Sequence, residues 1–286
     1  MRSLTRFIVH RSRRSISTLS DDLRTKFSKY KGGSVQLTTD DSSGIARVRI
    51  NNPAKRNSMS GEMMVQLYDI VTDLERWSKG KALILHGTSG FFCSGADLDM
   101  VKEINTPEQG AEMATIMQAN LTGLHNLPLI SVALVEGRAL GGGAEMTTAC
   151  DFRLMVEGAE VQFVHMRMGL VPGWGATTRL VHLLGPKMAL HILASGCKIS
   201  GESAITMGFA EDIIQDRDNP LEKAKLWLGQ YTTGNSPVIV QVAKKTIVNA
   251  RNVLPAESFK QEQKLFASVW GGPANKAALE SNIKHR

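Results

Sequence analysis

The 286-residue sequence has little cysteine. Cys93, Cys150 and Cys197 form a sparse, odd set with no CxxC spacing. That argues against a disulfide framework and a cysteine zinc site, and it favours a reducing compartment. Long apolar runs are also missing. The longest, Leu127 to Val135, is far shorter than the roughly 18 residues a membrane helix needs, so no membrane span is expected. There is no GxGxxG, no GxxxxGK[ST], no HExxH and no GxSxG, and the histidines fall into no zinc-like cluster. What remains is ordinary globular composition, with 42% hydrophobic and 21% charged residues. The chain is long enough to bury a core as one large domain or two modest ones.

The net charge is +7, and much of it is local. Residues 1–20 carry Arg2, Arg6, Arg11, Arg13 and Arg14, five serines and no acid. This is the composition of a mitochondrial presequence, and Phe7 to Val9 is too short an apolar core for a secretory signal. Without those five charges the body is only +2, which gives no strong reason to expect nucleic acid and suits a small polyanionic ligand equally well.

Alternation over Val35–Thr39 and Ile45–Ile50 predicts a hairpin. Ser60 can cap a helix carrying Met63, Met64, Leu67, Ile70, Val71 and Leu74 at helical spacing. Strands are expected at Ala82–Leu85, Leu129–Val135 and Phe152–Val156. Helices are expected from Pro107 to about Leu124 and from the glycines near 141 to about Cys150. That alternation predicts an α/β core. After about Gly175 the pattern turns helical, with segments at 175–184, 186–195, 200–207, 220–231, 237–250 and 255–269. Three regions follow: a basic tail (1–20), an α/β core (21–200) and a helical C-terminal region (201–286). The helix at 255–269 carries Phe259, Leu265, Phe266 and Val269, which must pack on the core or on another subunit.

Two glycine-containing loops each follow a buried strand: Phe91-Phe92-Cys93-Ser94-Gly95-Ala96-Asp97-Leu98, and Gly137 to Glu145 with its triplet Gly141-Gly142-Gly143. A helix that starts inside the triplet has first amides without an intrahelical acceptor, and such amides can bind an anion or a developing oxyanion. A tightly packed strand–helix turn needs the same glycines, so the triplet alone decides nothing.

Together the loops are specific. F-C-S-G-A-D-L, followed some 40 residues later by E-G-x-A-L-G-G-G-A-E-x-x-x-A-C-D, resembles the crotonase (enoyl-CoA hydratase/isomerase) superfamily. The resemblance continues through Asn51–Asn57, Gly169–Gly175 and Leu180–Gly185, and covers residues 33–286. It implies a spiral of ββα units with a helical C-terminal trimerisation region, hence a homotrimer or a dimer of trimers. It implies an acyl-CoA thioester whose carbonyl lies between the amides of Ala96 and Gly142. Lys55, Ala96, Asp97, Leu98, Gly142 and Gly173 are the implied substrate-binding residues, with Lys55, Arg56 and the 96–98 loop near the adenosine end of coenzyme A. No metal, biotin or nicotinamide is implied, and no cofactor apart from the coenzyme A of the substrate.

One departure matters. Hydratases of this superfamily handle water with two glutamates. Glu145 matches the first, but His165 stands at the second position. A smaller departure is Ala176, where the superfamily usually has glycine. The phrases Leu127–Val135, Thr147–Met155 and Val269–Asn275 resemble a decarboxylase branch acting on malonyl-type thioesters. The implied activity is loss of CO2 from ethylmalonyl-CoA, and also from methylmalonyl-CoA, correcting side products of acyl-CoA carboxylation. Ala96, Gly142, Glu145 and His165 are then the catalytic residues. Either His165 or a protonated Glu145 supplies the proton that quenches the enolate, while Met166, Met168 and Trp174 are candidate apolar walls. An enoyl-CoA hydratase or isomerase of fatty-acid metabolism is the alternative, and a non-catalytic RNA- or protein-binding member is a third. The compartment is divided too: the tail points to the mitochondrial matrix, whereas the decarboxylase resemblance suggests the cytosol.

Overall fold

A computed structural model describes residues 19–215 and 219–280. The presequence reading falls on residues 1–20, of which 1–18 lie outside the described residues. The last two belong to the body: Leu19 is buried, its N–H donates to the Tyr68 hydroxyl (3.1 Å), and Ser20 caps the first helix.

Helix α1 (Asp21–Phe27) leads into strands β1 (Ser34–Asp40) and β2 (Ile45–Asn51), the expected hairpin, with Val35 opposite Ile50. Next come α2 (Gly61–Glu75), β3 (Ala82–His86), α3 (Leu98–Glu103), α4 (Pro107–Asn126) and β4 (Ile130–Val135). They are followed by β5 (Arg138–Leu140), α5 (Gly142–Thr147), β6 (Phe152–Val156) and β7 (Glu160–Gln162). The rest comprises α6 (Ala176–Ser195), β8 (Lys198–Ser200), α7 (Gly201–Thr206), β9 (Asp212–Ile214), α8 (Pro220–Thr232), α9 (Pro237–Asn252), α10 (Pro255–Val269) and α11 (Pro273–Glu280).

Caps start the helices where the sequence signals them. The Ser60 hydroxyl accepts from Met63 N–H, and Thr106 and Gln109 form a reciprocal capping box on α4. α6 contains both helices expected at 175–184 and 186–195, joined across Gly185 and Pro186, where the backbone leaves helical geometry.

The strands form a six-stranded sheet in the order β1-β2-β3-β4-β6-β9, parallel from β2 onward, and a small sheet in the order β5-β7-β8. β3 shows why the main sheet is covered on both sides. Leu83 and Leu85 enter the larger core with Met63, Met64 and Leu67 of α2, whereas Ala82 and Ile84 face a second core with Ala224 and Leu228 of α8. The division at 200/201 therefore does not bound the sheet: β9 pairs with β6, and α8 seals the second face.

α9 is pinned by charge. Lys244 is buried and ion-paired with Asp151, which also accepts from the Ser131 N–H and hydroxyl. His125 of α4 faces the same cluster. Burial, and then the cations Arg251, Lys244 and Arg179, with Asp151 opposing, push His125 down to about 3. Between its ordinary value of 6.5 and about 3, the unfolded chain binds a proton that the native chain refuses. The neutral side chain therefore contributes stability that is complete above 6.5 and is lost as the pH falls toward 3. His125→Asn keeps an N–H for the Ala149 carbonyl, which His125 Nδ1–H now meets at 3.1 Å, and does not titrate. Urea unfolding at pH 7, 5 and 4 should show the wild type losing more stability on acidification than the variant; parallel losses would refute this account.

Candidate active site

The two glycine loops run side by side. Phe92 and Cys93 N–H donate to the Arg138 carbonyl, and Leu140 N–H donates to that of Cys93 (2.9 Å). On the other side, Met59 N–H donates to Gly95 O (2.8 Å) and Asp97 N–H to Met59 O (2.9 Å). This parallel bridge uses the groups flanking Ala96 and turns Ala96's own N–H away from Met59. No hydrogen bond from Ala96 N–H occurs among the described residues. Gly142 is the first residue of α5, so its N–H also lacks an intrahelical acceptor. The glycine is required by close approach: a Cβ there would lie 2.5 Å from the Trp174 ring.

Ala96 and Gly142 line one cavity of about 780 Å3. Lys55, Asp97, Leu98, Glu145, His165 and Gly173 line it as well, so every site residue expected from the sequence is brought together. Trp174 and the exposed Met168 join them as walls, but Met166 is not part of the lining. Arg167 is also outside it and donates to the Gly196 carbonyl. At the mouth, Lys55 Nζ pairs with Asp97 (2.7 Å) and Asp99 (2.9 Å). The hydrogen bond to Asp97, then that to Asp99, raises Lys55, and the same contact lowers Asp99. Lys55 thus staples the Asn52–Asn57 turn to the loop carrying Ala96. A smaller adjoining cavity of about 300 Å3 adds Lys29 and Lys31 beside Lys55.

The chemical centre is Glu145, which is 1% exposed. Its Oε2 accepts from Trp174 N–H (2.8 Å) and Ala176 N–H (3.1 Å), and its Oε1 from Gly173 N–H (3.3 Å). His165 Nε2 lies 3.0 Å from Oε1. With three backbone donors on it, the carboxyl is built as an acceptor, so Nε2 carries a proton and donates it to Oε1. The other ring nitrogen, Nδ1, is buried without a hydrogen-bond partner. Ala176, a departure from the superfamily's usual glycine, contributes through its amide. The amide-donor roles of Trp174 and Ala176, and the nearby Arg179, were not legible, because backbone amides and buried structural arginines leave no residue-type signature; Trp174 was expected only as a wall.

These features define an acyl-thioester enzyme of known type. The Enoyl-CoA hydratase/isomerase family profile matches residues 40–280, and the chain belongs to that family. It is 46% identical over 289 residues to the Ethylmalonyl-CoA decarboxylase of Danio rerio, covering 100% of this chain and 95% of the relative. Its identity to the Ethylmalonyl-CoA decarboxylase of Xenopus tropicalis is 45% over 265 residues, 92% of this chain and 88% of the relative. Among solved structures, the Enoyl-CoA Hydratase from Bacillus anthracis superposes with a TM-score of 0.79 at 27% identity, covering 88% of this chain and 95% of that one. The fold is that of the crotonases, as the sequence resemblance implied.

Gly142→Ala should force the Trp174 ring to move. Overpacking of this kind typically costs about 1–3 kcal/mol. A lower denaturation midpoint with altered Trp fluorescence is the expected result; unchanged values would show that the ring does not rest on Gly142.

Proposed function

We propose that this protein is a carboxy-lyase that removes CO2 from ethylmalonyl-CoA, and also from methylmalonyl-CoA, as a metabolite-repair activity. The observation that carries this reading is the pair at the cavity wall. Glu145 faces His165, not a second carboxylate, across 3.0 Å, and its own oxygens are engaged by backbone amides. Two carboxylates suit the handling of water; one imidazole beside a fixed carboxylate suits delivery of a single proton.

The chemistry is as follows. The thioester carbonyl oxygen lies between Ala96 N–H and Gly142 N–H. The bond from the α-carbon to the carboxylate breaks, its electron pair moves into an enolate, and CO2 departs. Charge arrives on the thioester oxygen, where preorganised donors stabilise the transition state more than the ground state. Trp174, Leu170 and Val171 offer the leaving carboxylate an apolar wall and do not compete for its charge. The α-carbon then takes the Nδ1 proton of His165 in its imidazolium form, which leaves the neutral ring with its proton on Nε2 until Nδ1 is reprotonated from solvent. Glu145 fixes the ring and its tautomer through Nε2–H.

The electron pair ends on the thioester oxygen, where this chain's own N–H donors stabilise it, so the proposed reaction needs no metal, biotin, nicotinamide or ATP. Purified protein with metals chelated should release CO2 from ethylmalonyl-CoA. CO2 release that vanishes on chelation and returns with one metal would sink the mechanism, and turnover of enoyl-CoA esters without CO2 release would favour a hydratase or isomerase.

The roles separate by mutation. Gly142→Pro deletes one oxyanion donor and should lower kcat about 10²–10³-fold on every thioester, once folding has been checked. His165→Gln should lower turnover and remove one limb of the pH–rate profile, while binding of an unreactive acyl-CoA changes little. Glu145→Gln should be severe through lost positioning. Near wild-type turnover in both would leave solvent as the proton source.

We further propose that exposed Phe259, Phe266 and Trp270 of α10 and its C-terminal cap meet a second copy in a homotrimer or a dimer of trimers. The basic segment ahead of Leu19 is read as directing the protein to the mitochondrial matrix, with the cytosol as the alternative.

A further inference from the structure

Glu145 presents an electrostatic problem. A carboxylate this buried must be compensated, or burial costs more than its contacts return. His165 is the reacting partner and cannot serve as a permanent counter-charge. A fixed cation that feels the Glu145 charge is Arg179, on the first turn of α6.

Its hydrogen bonds reach both segments that hold the carboxylate. Nη2–H donates to the Trp174 carbonyl (2.7 Å), in the turn whose Gly173, Trp174 and Ala176 amides grip Glu145. Nε–H donates to Thr148 Oγ1 (2.9 Å), and the Thr148 hydroxyl in turn donates to Glu145's own backbone carbonyl (2.7 Å). One planar guanidinium therefore brackets the α5 end that supplies the carboxylate and the turn that supplies its donors. Gly175 permits this: its φ is +92°, and a Cβ there would lie 2.8 Å from Arg179 Nη1. Burial pulls Arg179 down to about 10, and the Glu145 carboxylate opposes that shift.

We propose that Arg179 is a positioning residue for the Glu145–His165 pair, setting the separation between Oε1 and Nε2 by clamping the α5 end to the turn before α6. Its consequence for turnover rests on the decarboxylase reading above; its consequence for geometry does not. Lysine in its place keeps the charge but has no fork to span Trp174 O and Thr148 Oγ1 together. Thr148→Val removes the Nε–H acceptor and the link to the Glu145 carbonyl while keeping the shape.

The test is crystal structures and steady-state kinetics of the full chain as wild type, Arg179→Met, Arg179→Lys and Thr148→Val. In Arg179→Met the Oε1–Nε2 separation should open from 3.0 Å to beyond hydrogen-bond reach. Its kcat on ethylmalonyl-CoA should fall by about ten- to a hundredfold, the scale of an ångström-sized misplacement, with KM little changed. Arg179→Lys and Thr148→Val should each show part of both effects. An unmoved pair overturns the proposal whatever the rate does, and so does a moved pair at unchanged kcat. If Arg179→Met is insoluble, the other two variants decide: wild-type separation and kcat in both overturn it. If no variant, wild type included, releases CO2, the decarboxylase reading fails, and the separation measured in the crystals still decides the role of Arg179.

Discussion

The site depends on one buried carboxylate that is surrounded by donors. Glu145 reaches the cavity wall from α5, and every hydrogen-bonding contact its side chain makes is with an N–H group. That arrangement settles three things together. It fixes the turn at 173–176, because three of its amides have no comparable partner elsewhere. It fixes the orientation of His165, because only one ring nitrogen can meet Oε1. It also ties the start of α6 to the active site, since Ala176 is both its first residue and a donor. Neutralising such a group would set a hydroxyl against donors, so the architecture favours a role as anchor over one as acid.

The oxyanion site is governed by a different constraint, backbone proximity. The loop carrying Ala96 is held on one side by Met59 and on the other by Arg138 and Leu140. The Gly142 amide is available because α5 begins there, and its glycine survives because Trp174 occupies the space a side chain would need. Trp174 thus serves both halves: its ring supports Gly142 and its amide holds Glu145. The positions of the oxyanion donors and of the proton-transfer pair are consequently coupled through one residue.

The long, strongly patterned elements were legible in the sequence, and for physical reasons. Ser60 before an apolar helical stripe, Pro107 after a capping threonine, and the alternating hairpin strands each carry their own local signal. The strands β5, β7, β8 and β9 were not legible. Each is three residues long, too short for a period to appear, and each forms only because a partner strand is already in place. β9 also explains why a change from mixed to helical pattern near residue 200 is a poor guide to where the sheet ends. At the site, all eight expected residues line one cavity, and it was the two glycine loops carrying Ala96–Leu98 and Gly142 that made the family pattern recognisable. Met166 was misplaced for the opposite reason. It lies in a single helical turn at His165–Met168, where both methionines are exposed but successive side chains point in different directions, so Met168 lines the cavity and Met166 does not.

Replacing a second carboxylate by an imidazole changes more than a proton source. Two carboxylates facing one cavity would add negative charge where a malonyl-type thioester already carries its own, raising the cost of binding an anionic substrate. With His165 at that position, the Glu145 carboxylate is already met by amides and lies in the field of Arg179, and the cavity wall presents a neutral or cationic ring to the incoming acid. Departure of CO2 removes the substrate's charge from the apolar side and delivers it to the oxyanion side, where two unpaired amides wait. The fold thus separates a place that tolerates the carboxylate from a place that rewards the enolate, and that asymmetry is what a decarboxylase needs from a scaffold it shares with hydratases.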